Sequence, residues 1–203
     1  RDRMKSLQQN FKDIEDEINF LKKKNNAIIL SHFYQDEDIQ DIADFIGDSL
    51  DLSKKAQKYD SDVIVFCGVR FMAEVAKILS PHKKVILPDI NAGCSLEESC
   101  QVNEFREFKK KYPNHIVLSY INCSAEIKAE SDIIVTSSNA GKIIESMPDK
   151  QKIIFAPDKH LGSYIRNQTK ADMIMWDGAC VVHEEFKHEG LKKLIKLLSL
   201  IHI

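Results

Sequence analysis

Short continuous runs of β-branched and aliphatic residues recur along this chain with helical patterns between them, and that alternation leaves few folds open. "AIILSHF", "DVIVFCGV" and "KVILP" each hold about five consecutive strand-forming positions with no polar alternation, the pattern of strands buried on both faces. Between them lie "DEDIQDIADFIGDSLDLSKKAQKY", read as helical stretches broken near Gly47, and "FMAEVAKILS", a helix stopped by Pro81. Ahead of the first strand, Leu7, Phe11, Ile14, Ile18 and Leu21 recur at spacings of three and four, one face of an amphipathic helix from Met4 to Lys24. Strand, helix, strand in this order predicts parallel sheets with helices on both sides, a three-layer α/β class.

The second half repeats the first. "HIVLSYIN" answers "AIILSHFY", "SDIIVTSSN" answers "SDVIVFCGV", and "KIIFAPD" answers "KVILPD". The offsets fall from roughly 88 residues to roughly 70, which places a helical insertion in the first copy. In parallel α/β units ligands bind at the carboxyl ends of the strands, so each copy is expected to offer equivalent loops. His32 and Tyr34 follow the first strand, and Tyr120 and Asn122 follow its counterpart. Ser137, Ser138 and Asn139 precede a helix, and Ser49 takes an N-cap position in "IGDSLDL"; helix starts of this kind bind carboxylate or phosphate. The plainer alternatives stay open: a serine that only caps its helix, a histidine satisfied in the core, and an exposed His160.

Five cysteines are scattered without CxxC spacing. Cys94 and Cys100 stand six apart in "DINAGCSLEESC", but an odd, sparse set argues against a disulfide framework and for a reducing, cytoplasmic setting. Cys67 and Cys123 sit among apolar residues as buried thiols do, and Cys100 lies at an acidic helix start. Cys94 and Cys180 each occupy a loop after a strand. Two cysteines, with His183 three residues on, are too few for structural zinc, so metal binding and simple packing both remain open from the pattern alone.

The chain has 203 residues, 43% hydrophobic and 30% charged, with a net charge of -2. No basic block points to nucleic acid, and no apolar run approaches the ~20 residues that span a bilayer. The start at Arg1 and the apolar, uncapped "LKKLIKLLSLIHI" are both expected to be cut ends.

The motifs taken together resemble the quinolinate synthase family, the iron–sulfur enzymes of de novo NAD biosynthesis. They are "SHFYQDEDIQDIADFIGDSLDLSKKA", "VIVFCGVRFMAEVAKIL", "NAGCSLEE", "YINCSAEIKAESDIIVTSSNA", "IIFAPDKHLGSYI" and "WDGACVVHEEF", in the family's order from Ala27 to Phe186. The resemblance implies three three-layer αβα domains with parallel sheets around a pseudo-threefold axis. Two of them are present here: 1–108 with the N-terminal helix, 109–188, and a truncated start of the third at 189–203. It implies a [4Fe–4S] cluster with one cysteine from each domain, making Cys94 the first ligand and Cys180 the second. The implied reaction condenses iminoaspartate with dihydroxyacetone phosphate to quinolinate, a transferase chemistry. It carries a functional link to L-aspartate oxidase or aspartate dehydrogenase and needs no nucleic-acid or membrane partner.

By the same resemblance His32, Ser49, Tyr120, Asn122 and Ser137 contact substrate. Tyr34 and Tyr120 transfer protons, and His32 orients the substrate. The family's "HPEC" stretch, with a catalytic glutamate and the last cysteine, has no counterpart in the sequence, and Phe33 stands where a second tyrosine is common. The chain as it stands is therefore expected to be inactive and poorly soluble. The rival expectations are a cluster-free α/β binding domain and a metal-free sugar-phosphate isomerase.

Overall fold

The computed structural model describes residues 12–185 and 187–198. Leu7 and Phe11 of the first helical pattern and residues 199–203 of the apolar tail lie outside them. The chain divides into two compact units, 1–92 and 93–203. No helix among the described residues is long and apolar enough to cross a membrane.

The first unit runs α1 (Ile14–Lys24), β1 (Ala27–His32), α2 (Glu37–Asp41), β2 (Phe45–Gly47), α3 (Ser49–Lys58), β3 (Val63–Cys67), α4 (Arg70–Leu79) and β4 (Lys84–Ile86). The second runs α5 (Ser95–Glu98), α6 (Val102–Lys110), β5 (Ile116–Tyr120), α7 (Ala125–Ala129), β6 (Ile133–Val135), α8 (Ala140–Glu145), β7 (Lys152–Ala156), α9 (Lys159–Thr169), β8 (Asp172–Met175), α10 (Val181–Glu185) and α11 (His188–Leu198). Each unit builds one four-stranded, all-parallel sheet, in the orders β2-β1-β3-β4 and β6-β5-β7-β8. The α/β class with parallel sheets and flanking helices is as the sequence predicts.

The internal register of the repeat is not. "SDIIVTSSN" forms β6, the counterpart of the three-residue β2, while "KIIFAPD" forms β7, the counterpart of β3. Leu30 pairs with Phe45 and Leu118 with Ile133; Val63 pairs with Lys84 and Lys152 with Asp172. The offset is thus 88 or 89 throughout, with no helical insertion. The difference arises at β2: Phe45–Gly47 is too short to show a run, so in the sequence it looks like a break between helices.

Local chemistry sets the helix ends. The Asp13 carboxylate accepts the Asp16 N–H at 2.9 Å, three acidic residues fill the first turn of α1 and three lysines its last, all favourable to the helix dipole. The buried Lys83 ammonium reaches back to the Ala56 and Tyr59 carbonyls at the end of α3, satisfying oxygens the helix leaves open.

Both faces of the second sheet are filled. Leu118, Ile153, Phe155 and Met173 pack with Ala140, Ile144 and Ile165 from α8 and α9. Val117, Ile154 and Ala156 pack on the other side with Phe105, Cys100, Cys123 and Ile127, edged by Phe108, Tyr112 and Trp176. Full burial of a side chain such as Phe105 stabilises by roughly 1.5–3 kcal/mol. In the first unit Ile28, Leu30, Ile64 and Phe66 are buried along with Leu52, Phe71 and Val75 of α3 and α4. The opposite face leaves an apolar groove of about 500 Å³ between α1 and the sheet, lined by Ile18, Ile29, Val65 and Ile86. Among the described residues no aromatic side chain lines it, unlike the matching face of the second unit.

Candidate functional site

Strand ends carry most of the polar groups singled out in the sequence. In the first unit His32 closes β1 and is 7% exposed. Burial lowers its pKa, opposed by the nearby Asp48 carboxylate. Its Nδ1 accepts the Tyr34 backbone N–H at 3.3 Å, so the neutral ring carries its proton on Nε2. The Tyr34 ring lies 4.5 Å from the imidazole, centroid to centroid, with its side chain 88% exposed. Phe33 is also exposed.

Ser49 is the first residue of α3, but it is not the cap. Asp48 holds that place, accepting the Leu50 and Asp51 N–H groups at 3.0 and 2.8 Å. A carboxylate already at this helix start leaves less of it for an anionic ligand than the sequence pattern suggests.

In the second unit Tyr120 closes β5 half-buried, and half-buried Asn122 follows in the adjoining bend. Ser137 is exposed in the turn before α8. Asn139 turns its side chain back to accept the Thr136 N–H at 2.7 Å, and Thr136 and Ser138 share a hydroxyl contact at 2.9 Å. The turn is therefore organised largely from within.

The two cysteine loops of the second unit lie against each other. Cys94 precedes α5 and Cys180 precedes α10. Burial raises the Cys94 pKa; the neighbouring Glu97 and Leu96 backbone amides lower it, and Cys180 and Glu97 add smaller upward contributions. Ser95 Oγ sits 3.9 Å from Cys180 Sγ and accepts the Val181 N–H at 3.2 Å. The Trp176 indole donates to the Ser99 carbonyl at 2.9 Å. Gly178 closes the seam: a Cβ there would strike the Pro157 carbonyl and come within 2.6 Å of Ser99 Oγ.

None of the five cysteines forms a disulfide. Cys100 and Cys123 are core residues of the second unit, and Cys67 ends β3 half-buried. His183 stands 3.6 Å from the buried Asp158 carboxylate, and His160 3.5 Å from Glu184. Among the described residues no three His, Cys, Asp or Glu side chains gather as a metal site. Sequence spacing missed Ser95, Ser99, Trp176 and Gly178, whose partners lie up to 86 positions away; a lone tryptophan at a strand end was the one visible signal.

The chain is 61% identical over 186 residues to a quinolinate synthase of Gloeothece citriformis, covering 92% of this chain and 57% of that protein. It is 59% identical over 183 residues to one of Synechocystis sp., covering 90% and 58%, and 60% identical over 185 residues to one of Chloroherpeton thalassium, covering 91% and 56%. It thus spans less than two thirds of these curated relatives. A sequence model of one family, described as quinolinate synthetase A protein, matches residues 16–202, and the chain belongs to that family.

Proposed function

We propose that this chain contributes to quinolinate formation in NAD biosynthesis, by condensation of iminoaspartate with dihydroxyacetone phosphate. The observation that most supports this reading is the seam joining the Cys94 and Cys180 loops. Two thiols on adjacent loops, with backbone amides beside Cys94 that favour its thiolate, suit two corners of a [4Fe–4S] cluster. The residues present fit that group as far as they go, and a third thiolate would come from beyond them. When bound, such a cluster supplies a Lewis-acidic iron that assists loss of water.

The chain's own residues handle the organic atoms. His32, neutral with its proton on Nε2, donates to a substrate carbonyl or carboxylate oxygen and fixes its direction. Tyr34, exposed beside that ring, transfers a proton, and Tyr120 does so at the equivalent strand end of the second unit. Asn122, Ser49 and Ser137 hold carboxylate or phosphate oxygens. Iminoaspartate hydrolyses readily, so an aspartate-oxidising enzyme, L-aspartate oxidase or aspartate dehydrogenase, must supply it. Five cysteines without a disulfide favour the cytoplasm.

The test is an anaerobic quinolinate assay on protein carrying the full length of its relatives, reconstituted with iron and sulfide. The wild type is expected to form quinolinate and show thiolate-to-iron absorption. Cys94→Ser and Cys180→Ser should lose both, while Cys67→Ser and Cys100→Ser should keep them. Residues 1–203 alone, holding two of three thiolates, should form none. A full-length protein that binds the substrates but neither iron nor sulfide would favour a cluster-free binding domain and sink this reading.

A further inference from the structure

Ser95 belongs to one cysteine loop and its side chain reaches the other. It follows Cys94 in the chain, and its Oγ accepts the Val181 N–H at 3.2 Å while lying 3.9 Å from Cys180 Sγ. A serine hydroxyl has one proton to give and two lone pairs. With one lone pair taken by Val181, the proton is directed to the sulfur. A neutral thiol is a weak acceptor for it. A thiolate is a strong one, because hydrogen bonds to ionised groups are roughly twice as strong as neutral ones. A metal-bound Cys180 would be a thiolate, so the contact would strengthen on coordination.

We propose that Ser95 is a positioning residue for Cys180: it fixes the sulfur beside Cys94 and donates a hydrogen bond to it once it is a metal-bound thiolate. This rests on the reading of Cys94 and Cys180 as cluster ligands. The surroundings explain why the geometry is preset. The Trp176–Ser99 bond and the close approach of Gly178 to Ser99 hold the two loops together four residues on from Ser95. The hydroxyl thus has little freedom to turn away, and Cys180, itself 8% exposed, has little room to swing outward. A hydrogen bond to a cluster sulfur stabilises the more negative, reduced state and raises the reduction potential.

The experiment compares Ser95→Ala, Ser95→Thr and Cys180→Ser in protein of the relatives' full length. In the metal-free state hydrogen exchange at the Val181 amide is followed by mass spectrometry or NMR. In the reconstituted state iron content and reduction potential are read. Ser95→Ala should exchange faster at Val181 and reduce at a more negative potential, and Ser95→Thr, which keeps the hydroxyl, should restore both. If Ser95→Ala loads no iron, loading by Ser95→Thr supports the proposal and failure of both overturns it. Unchanged exchange and potential in Ser95→Ala also overturn it. Full iron content in Cys180→Ser would instead remove the ligand assignment on which it rests.

Discussion

Asp132 stands in the second unit where Asp44 stands in the first, and the two carboxylates make the same pair of bonds. Asp44 Oδ2 accepts the Ile29 N–H at 2.8 Å while the Asp44 N–H goes to the Ile29 carbonyl at 2.8 Å. Asp132 Oδ2 accepts the Val117 N–H at 2.7 Å, and the Asp132 N–H goes to the Val117 carbonyl at 2.9 Å. Each closes the lower end of the first strand where the short second strand has not yet begun to pair. Asp132→Ala leaves the N–H of buried Val117 without its acceptor, and a bond to a charged group is worth about 1.5–3 kcal/mol. The expected loss of stability is of that size, read by urea unfolding with the single tryptophan, Trp176, as reporter.

Gly178→Ala and Gly141→Ala should act in opposite directions. The first places a Cβ against the Pro157 carbonyl and Ser99 Oγ, and overpacking of backbone costs about 1–3 kcal/mol. It should lower the melting temperature and shift Trp176 fluorescence, since the indole is bonded to the same loop. The second adds a Cβ with nothing within 4 Å, inside α8, where alanine is favoured over glycine by roughly 0.5–1 kcal/mol. A destabilising Gly141→Ala would contradict the open surroundings of that position.

His32 sets a pH dependence on the acid side. Its native pKa is lowered below 6.5, chiefly by burial, so the unfolded chain takes up a proton before the native one does. Its contribution to stability is complete above about pH 6.5 and is lost as the pH falls below that value. Unfolding measured between pH 8 and pH 5 should show this slope, and His32→Gln should flatten it. An NMR titration midpoint for His32 at or above 6.5 would refute the assignment.

Cysteine labelling should divide the five thiols. Cys100 is 2% exposed with a pKa pushed up to about 12, mainly by burial, and Cys123 is wholly buried. Thiolate is the reacting species, so both should resist iodoacetamide at pH 8 in the native protein. Half-buried Cys67 and Cys94 should react first, as mass spectrometry of timed samples will show. Labelling of Cys100 at the rate of Cys94 would mean that the helical cover over it opens.

The α11 helix offers a test of solubility. Leu191, Leu194, Ile195 and Leu197 are each about half exposed or more on it, an apolar row without cover among the described residues. Replacing Leu194 and Ile195 together with Gln should raise the soluble concentration of residues 1–203, measured by light scattering, with little change in melting temperature.

The α/β class was legible because β1, β3, β5 and β7 are long enough to show their unbroken apolar runs, as in "AIIL" and "KIIF". β2 was not, since three residues carry no periodicity and its neighbours Asp44 and Asp48 look like helix-cap residues. The candidate ligands Cys94 and Cys180 and the strand-end His32 and Tyr120 came from motif and position. The seam between the cysteine loops was hidden because Ser95 meets Val181 and Ser99 meets Trp176 across most of a structural repeat. Asp48 displaced Ser49 as the cap because a carboxylate accepts two helix N–H groups at once.

The constant offset of the two sheets has an evolutionary consequence. His32 and Tyr120, Tyr34 and Asn122, Ser49 and Ser137 are each separated by 88 positions, the spacing of the strands that carry them. An ancestor encoding one such unit, used twice, would have presented identical side chains from each copy and could not have told one end of a ligand from the other. With both copies in one chain, each can change independently of the other. The serine is common to both copies, while a phenol stands in the second for the imidazole of the first, and an amide for its phenol. Chemical polarity was thereby written into a scaffold that began with none.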